Sequence, residues 1–391
     1  MHVLDHLHAR GFIHQVTDEP ALRVAIDTGT LPVYVGLDPT AKSLHAGHLL
    51  PLLCLRWLAE AGLDPIVIIG GGTALIGDPT GKDKTRDMLT AEDIAANKLG
   101  LIAQARLFAP NARIVDNADW LCGLGYVSFL RDIGVHFSVN RMLSAETFKQ
   151  RLEREQGLSF IEFNYTLLQS YDFLELYRRQ GCRLQIGGQD QWFNIISGCD
   201  LIRRLEGAET WGLTIPLLLM SDGRKMGKTA GGAWWLDPEL CSPYHYFQHW
   251  LNVADEDVEK LLKLYSYLEL DAITVLMADI RVAKRRLAIE ATAVVHGRAA
   301  AEAADEAARA AFSGGQAADM PTITVATGSS VVAALVAAAF AKSNGEARRL
   351  IEGGGVRLGD EVVADVKAVL EGDTLLWAGK KRAVKVVVAP G

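Results

Sequence analysis

A chain of 391 residues is longer than a single hydrophobic core usually supports, so two or three domains are expected, the first large enough for an α/β sheet. With 49% hydrophobic and 22% charged residues and no apolar run of bilayer length, the composition is that of a soluble globular protein and excludes a membrane-spanning chain. A net charge of -7 excludes nucleic-acid binding by bulk electrostatics, but it is unevenly spread: residues 331–391 carry nine Lys/Arg against seven Asp/Glu, the preceding 330 carry 31 against 40, and the mildly basic tail fits local contact with a polyanion.

In chain order, the charged start from Met1 to His14 lacks the apolar centre of a signal peptide, so a cytoplasmic location is expected. Residues 32–36 (Pro-Val-Tyr-Val-Gly) read as a short buried strand, a helix follows from His45 through Leu58 with Pro51 admitted to its first turn, and residues 65–70 form a second β-branched strand. This βαβ opening predicts a doubly wound parallel sheet of Rossmann-like type, which binds ligand at the carboxyl ends of its strands. Phe160 to Gln180 reads as a helix, Leu184 to Gly188 as a strand, Gln191 to Leu205 as a helix and Leu213 to Leu219 as a strand.

Beyond Ser242 the glycines thin out and helical periodicity runs into the Ala-rich stretch from Ala283 to Phe312, until Ser313-Gly314-Gly315 and Pro321 mark a linker. The apolar run from Val331 to Ala341 is read as a packed helix, 345–351 as another, and two β-rich runs end at Val388. The expected organisation is a catalytic domain over 1–222, a mobile loop and linker over 223–245, a helical domain over 246–313 and a small α+β domain over 322–391. Five cysteines without a C-x-x-C pair give no disulfide framework or zinc ribbon. His245 and His249 share a helix face, but without further ligands no metal site is assigned.

Chemistry is concentrated in two separated segments, His45-Ala46-Gly47-His48 and Lys225-Met226-Gly227-Lys228-Thr229. Two imidazoles one turn apart at a helix start, with two lysines in a glycine-flanked loop, can surround a triphosphate as it is split. Thr40 and His45 can donate to terminal phosphates, His48 faces the nucleotide sugar, and Gly36 lets a ligand lie against bare backbone. Gly70-Gly71-Gly72 fails as a dinucleotide fingerprint because Leu75 replaces the third glycine, and Gly77 to Asp83 fails as a phosphate loop. What remains there is a turn bearing Asp78, with Lys82 and Arg86 four apart. Tyr165, Gln169 and Asp172 fall on one helix stripe, compatible with a ligand face or an ordinary half-buried helix. Gln185, Gln189, Asp190 and Gln191 cluster past a strand end, where Asp190 could also cap the next helix.

Taken together these blocks resemble the class I aminoacyl-tRNA synthetases, and within them the bacterial tyrosyl-tRNA synthetases, nearly end to end. The resemblance is carried by residues 34–40, 45–48, 77–82, 164–172, 185–192 and 225–229, with Gly227 where the KMSKS pattern has serine. It implies ATP as substrate with accompanying Mg²⁺, L-tyrosine and tRNA(Tyr) as partners, and a homodimer. Tyr34 and Asp172 would hold the substrate phenol, Asp78, Tyr165 and Gln169 its ammonium group, and Gln191 its carboxylate region. Gly36, Asp38, His48, Gly188, Asp190 and Lys228 would hold the nucleotide, and Thr40, His45, Lys82, Arg86, Lys225, Lys228 and Thr229 the departing pyrophosphate. Val35 and Pro51 stand where some relatives have polar residues near the ribose. The tail resembles a small RNA-binding module of a ribosomal small-subunit protein, with Lys342, Arg348, Arg349, Lys380, Lys381 and Arg382 as phosphate contacts. A tryptophan-specific synthetase and an RNA-binding paralogue without the chemistry are the rival readings.

Overall fold

The computed structural model describes residues 1–78, 89–154, 159–221, 226, 228–229, 232–312, 322–341, 343–359, 361–370, 372–379 and 382–389. The chain forms two compact units, one of residues 1–226 with 263–265 and one of the remainder.

The first unit is built on strands β1 (Gln15–Val16), β2 (Pro32–Leu37), β3 (Asp64–Ile69), β4 (Arg113–Asp116), β5 (Leu184–Gly188) and β6 (Trp211–Ile215), in the order β1-β6-β5-β2-β3-β4. All neighbours are parallel except the edge pair β1–β6. Its helices are α1 (Val3–Arg10), α2 (Glu19–Asp27), α3 (Ala46–Glu60), α4 (Ala91–Phe108), α5 (Ala118–Leu121), α6 (Tyr126–Asp132), α7 (Val139–Leu143), α8 (Glu146–Glu153), α9 (Phe160–Gln180) and α10 (Trp192–Glu206). The strands are apolar almost throughout, as a sheet covered on both faces requires; Val33, Val35, Ile66, Val67, Leu184, Ile186 and Leu213 are all buried. Chain order runs outward from β2 to β4, returns to β5 on the other side of β2, and so creates a switch point between β2 and β5.

Several expected boundaries move for identifiable reasons. The strand expected over 213–219 occupies Trp211–Ile215 and stops before Pro216, which has no N–H for a ladder. Pro51 lies inside α3, past its first turn, so the Gly47 carbonyl lacks that amide donor. The Ala-rich stretch divides at Gly297, whose φ of 85° lies in the left-handed region, into α14 (Ile280–His296) and α15 (Arg298–Phe312). Both pack with α11 (Pro243–Leu251), and α14 also with α13 (Leu270–Leu276); α12 (Val258–Tyr265) lies between α11 and α13 in the chain. In the same helical region the His249 ring stacks on Trp234, with centroids 4.8 Å apart. Among the described residues no group of three or more His, Cys, Asp or Glu could hold a metal ion.

Beyond 226, β7 (Lys228–Thr229) pairs with β8 (Gly232–Ala233). The tail holds β9 (Thr322–Ala326), α16 (Val331–Ala337), α17 (Asn344–Glu352), β10 (Val356–Leu358), β11 (Glu361–Val362), β12 (Thr374–Ala378) and β13 (Arg382–Ala389). Val331, Leu335, Ile351, Leu376 and Val386 form its own core. α16 is shorter than the apolar run that encodes it. Among the described residues no helix is long and apolar enough to cross a membrane.

The loop that carries Thr40 to Leu44 is fixed from below by α4. A Cβ on Gly100 would come within 2.1 Å of the Lys42 carbonyl oxygen, a backbone atom that cannot step aside, and Asn97 Nδ2 donates to the Pro39 carbonyl at 3.1 Å. Helix propensity alone would favour alanine at position 100 by about 1 kcal/mol. The overlap outweighs this, so Gly100→Ala is expected to destabilise the chain by roughly 1–3 kcal/mol, read as a lower urea midpoint at unchanged slope.

Candidate active site at the β2/β5 switch point

Strand β2 delivers Tyr34 into the core and is followed by Asp38-Pro39-Thr40, while β5 ends in Gly188 and passes through one 3₁₀ turn, Gln189–Gln191, into α10. Gly36 is exposed, and a Cβ there would meet nothing closer than Ile68 at 3.4 Å, so protein packing does not demand the glycine. Bare backbone is thereby presented at the strand end.

Deepest in the site, Tyr34 is 1% exposed, its ring 5.3 Å from that of Phe173, and its hydroxyl has no hydrogen-bond partner among the described residues. An orphaned buried hydroxyl is rare enough in folded proteins to mark a place where a ligand completes the bonding. Asp172, on α9, is buried beside it, and its two carboxylate oxygens accept from Asn117 Nδ2 at 2.9 Å and Trp120 Nε1 at 2.7 Å. Burial nevertheless dominates over these two donors and pushes the Asp172 carboxyl up to about 8. Burial and the Asp172 charge likewise raise Tyr34 well above the ordinary phenol value.

Toward the strand ends lies a connected set of polar groups. Asp38 accepts from Thr73 Oγ1 at 2.8 Å and from the Tyr165 hydroxyl at 2.9 Å. Asp78 accepts from Gln191 Nε2 at 2.8 Å, Gln191 accepts from Asn194 Nδ2 at 3.2 Å, and Asn194 accepts from Thr166 Oγ1 at 2.8 Å. The Tyr165 phenol is raised well above its usual value by burial first, then by the charges of Asp38, Asp78 and Asp172. The carboxylates of Asp38 and Asp78 within electrostatic reach of one hydroxyl make a place that favours a cation. Gln169, between Tyr165 and Asp172 on α9, has a buried Oε1 without a partner among the described residues.

The glycine run that fails as a dinucleotide fingerprint serves these acids. A Cβ on Gly70 would fall 1.9 Å from Asp38 Oδ1, and one on Gly71 2.3 Å from Asp116 Oδ1. Asn117 accepts from the Gly72 amide at 2.7 Å and donates to Thr73 Oγ1 at 3.0 Å, so one side chain connects the ends of β3 and β4 to Asp172.

His45 and His48 stand at the N-terminus of α3, as cap residue and third helical residue, with rings stacked at 3.8 Å. The Gly47 amide donates to His45 Nδ1 at 3.1 Å, and the His45 amide to His48 Nδ1 at 3.4 Å. With Nδ1 accepting, the neutral ring carries its proton on Nε2, so both imidazoles are set as donors where the helix amides already favour an anion. The Tyr265 hydroxyl donates to the Ala46 carbonyl at 3.0 Å and buttresses this turn.

The structure thus brings together Tyr34, Asp38, Asp78, Tyr165, Asp172 and Gln191, with Gln169 on the same helix, and sets His45 and His48 after Thr40 beyond β2. Asp190 does not cap α10, whose N-cap is Gln191 without a side-chain bond; it lies against Gly188, where a Cβ would meet Asp190 Oδ1 at 2.7 Å. Lys82, Arg86, Lys225, Lys342, Lys380 and Lys381 lie outside the described residues, and at Lys228 and Thr229 the backbone alone is described. Arg348 and Arg349 are exposed on α17; Arg382 is exposed on β13, with Nη1 donating to the Phe340 carbonyl at 3.0 Å. Sequence reasoning missed Asn117, Trp120, Thr73 and Asn194. Of these, Asn117 had a findable signal, since it follows directly on a strand end.

A class I synthetase is what this sheet and site define. Residues 27–313 match the family of tRNA synthetases class I (W and Y), and residues 313–378 match the tyrosine–tRNA ligase SYY-like C-terminal domain. The chain is 49% identical to a tyrosine–tRNA ligase of Xanthobacter autotrophicus, over 97% of this chain and 96% of that one. It is 46% identical to one of Rhizobium meliloti, over 98% of each. A C-terminally truncated mitochondrial tyrosyl-tRNA synthetase of Aspergillus nidulans superposes with a TM-score of 0.71 at 29% identity, over 78% of this chain and 93% of that one. The chain belongs to the tyrosine–tRNA ligase family of class I synthetases.

Because the folded-state Asp172 carboxyl titrates near 8, far above the unfolded value of 3.8, its contribution to stability is full below about pH 4 and is lost progressively as pH rises toward 8. The difference in melting temperature between the native chain and Asp172→Asn is therefore expected to shift in favour of the variant between pH 5 and 8, and to be flat above that. A difference independent of pH would show that Asp172 is ionised throughout.

Proposed function

We propose that this chain acts as a tyrosine–tRNA ligase, with the buried pair of Tyr34 and Asp172 as its tyrosine-selecting element. The observation that carries the reading is the partnerless Tyr34 hydroxyl beside a carboxylate already anchored by two donors. A substrate phenol supplies one hydroxyl able to accept from Tyr34 and donate to Asp172. Phenylalanine would leave both groups unpaired in a dry site, at a cost of about 1–3 kcal/mol for each.

In this reading the substrate ammonium lies among Asp78, Tyr165 and Gln169, with Gln191 near the carboxylate. A carboxylate oxygen attacks the α-phosphorus of Mg²⁺-bound ATP, the bond to the bridging oxygen of the β-phosphate breaks, and pyrophosphate leaves with tyrosyl-adenylate formed. The 3′-terminal ribose hydroxyl of tRNA(Tyr) then attacks the activated carbonyl carbon, giving the ester and AMP. Gly36, Asp38, His48, Gly188 and Asp190 would hold the nucleotide. Donors at Thr40, His45, Lys82, Arg86, Lys225, Lys228 and Thr229 would meet the negative charge that grows on the leaving pyrophosphate, which lowers the barrier by positioning and charge rather than by a covalent enzyme intermediate.

We assign residues 1–222 to catalysis, 246–313 to the tRNA anticodon arm and 322–391 to further RNA phosphate contacts. The exposed apolar side chains of Tyr126, Val127, Val135 and Val139 support a homodimer, since such groups are costly to leave in water. The reaction belongs in the cytoplasm with its tRNA.

Pyrophosphate exchange with tyrosine, tryptophan or no amino acid tests the assignment. Exchange should require tyrosine, and Asp172→Ala should depress it at least tenfold; undiminished exchange in that variant removes Asp172 from the substrate site. Replacing Arg348 and Arg349 by glutamate should leave exchange intact and slow tRNA charging severalfold, with a shallower salt dependence as phosphate contacts are lost. Charging at the native rate and salt slope would remove α17 from the RNA surface.

A further inference from the structure

Asp172 depends on Trp120, yet Trp120 sits on α5, a helix of four residues that is too short to hold a side chain rigid by itself. The support comes from further along α9. The guanidinium carbon of Arg179 lies 5.3 Å from the centroid of the Trp120 ring, within cation–π distance. Arg179 is itself directed: its Nε donates to Glu175 Oε2 at 2.7 Å, and Glu175 is 7% exposed. Burial first and then Glu175 push the Tyr171 phenol up to about 12, and Arg178 Nη1 lies 3.8 Å from the other Glu175 oxygen. Residues 171, 175 and 179 are spaced i, i+4 and i+8, so one stripe of α9 carries the support while the neighbouring stripe carries Asp172, Gln169 and Tyr165.

We propose that Arg179, aimed by Glu175, is a positioning residue for tyrosine selection: it covers the Trp120 ring and thereby fixes the indole N–H that orients Asp172. Arg179 lies on the supporting stripe of α9, and half of its side chain is exposed. Its effect is transmitted through one indole. Removing the cation leaves the Asp172 to Asn117 bond in place but frees the indole to tilt, so the phenol meets a less well oriented acceptor. The ATP side of the site, at the ends of β2 and β5, is not on this path. The inference deepens the tyrosine reading and rests on it for the identity of the substrate.

The test uses the full chain. Arg179→Ala should raise KM for tyrosine in pyrophosphate exchange roughly two- to fivefold, the size of a partly exposed cation–π contact, with kcat and KM for ATP unchanged at saturating tyrosine. Arg179→Lys should recover a large part of the loss. In a Trp120→Phe background, Arg179→Ala should add nothing further, because the mediating N–H has gone. Independently of activity, the indole N–H resonance absent from the Trp120→Phe spectrum should move in Arg179→Ala and return toward its native position in Arg179→Lys. A stationary resonance, or the same loss of tyrosine affinity in both backgrounds, overturns the proposal. Should the native chain show no tyrosine-dependent exchange, the substrate reading falls, and the resonance alone then decides whether Arg179 positions Trp120.

Discussion

The carboxylate of Asp172, enclosed by an apolar core, is the constraint from which the rest of the site follows. Taking such a group out of water is costly unless its oxygens are matched by donors. The fold answers by bringing the end of β4 against α9, so that Asn117 and Trp120 meet it from residues more than fifty positions earlier in the chain. Asn117 then binds the Gly72 amide and the Thr73 hydroxyl, and Thr73 binds Asp38 at the end of β2. One buried acid thus ties three strand ends together, and Asn117, which helps make that acid tolerable, also reaches Thr73 and through it Asp38 on the nucleotide side.

Polarity is ordered along the site. Acidic groups gather around Tyr165, whereas the start of α3 offers helix amides and two imidazoles whose Nδ1 atoms accept from backbone. A substrate with an ammonium group at one end and phosphates at the other is oriented by that gradient before any specific bond forms. Close packing keeps the two regions in register, since Gly100 of α4 lets the Lys42 carbonyl approach to within contact of the helix backbone.

Much of this was legible in the sequence because it depended on period and punctuation. β2, α3, β3, α9 and β5 follow from apolar runs and the glycines that end them, and the pairing of His45 with His48 follows from their spacing at a helix start. The two-residue strand β1 and the half-polar β4 left no periodic signal. Break points such as Gly297 and Pro216 were visible as residues, but whether a glycine bends an Ala-rich helix or merely weakens it is decided by packing. The supporting residues were the least legible. Asn117, Trp120 and Thr73 are ordinary as local sequence, and their importance exists only once α9 has been laid across the strand ends.

The run of Gly70 and Gly71 has an implication for anyone who would redesign this pocket. Each position is occupied by a neighbour's carboxylate where a methyl would be, so hydrogen is the sole side chain that the backbone can carry there. A library that randomises this pair would return mostly broken molecules, however attractive its nearness to the substrate. Altered amino-acid preference is more economically sought on the helix wall around Gln169, where an unsatisfied amide oxygen leaves room for a different chemistry.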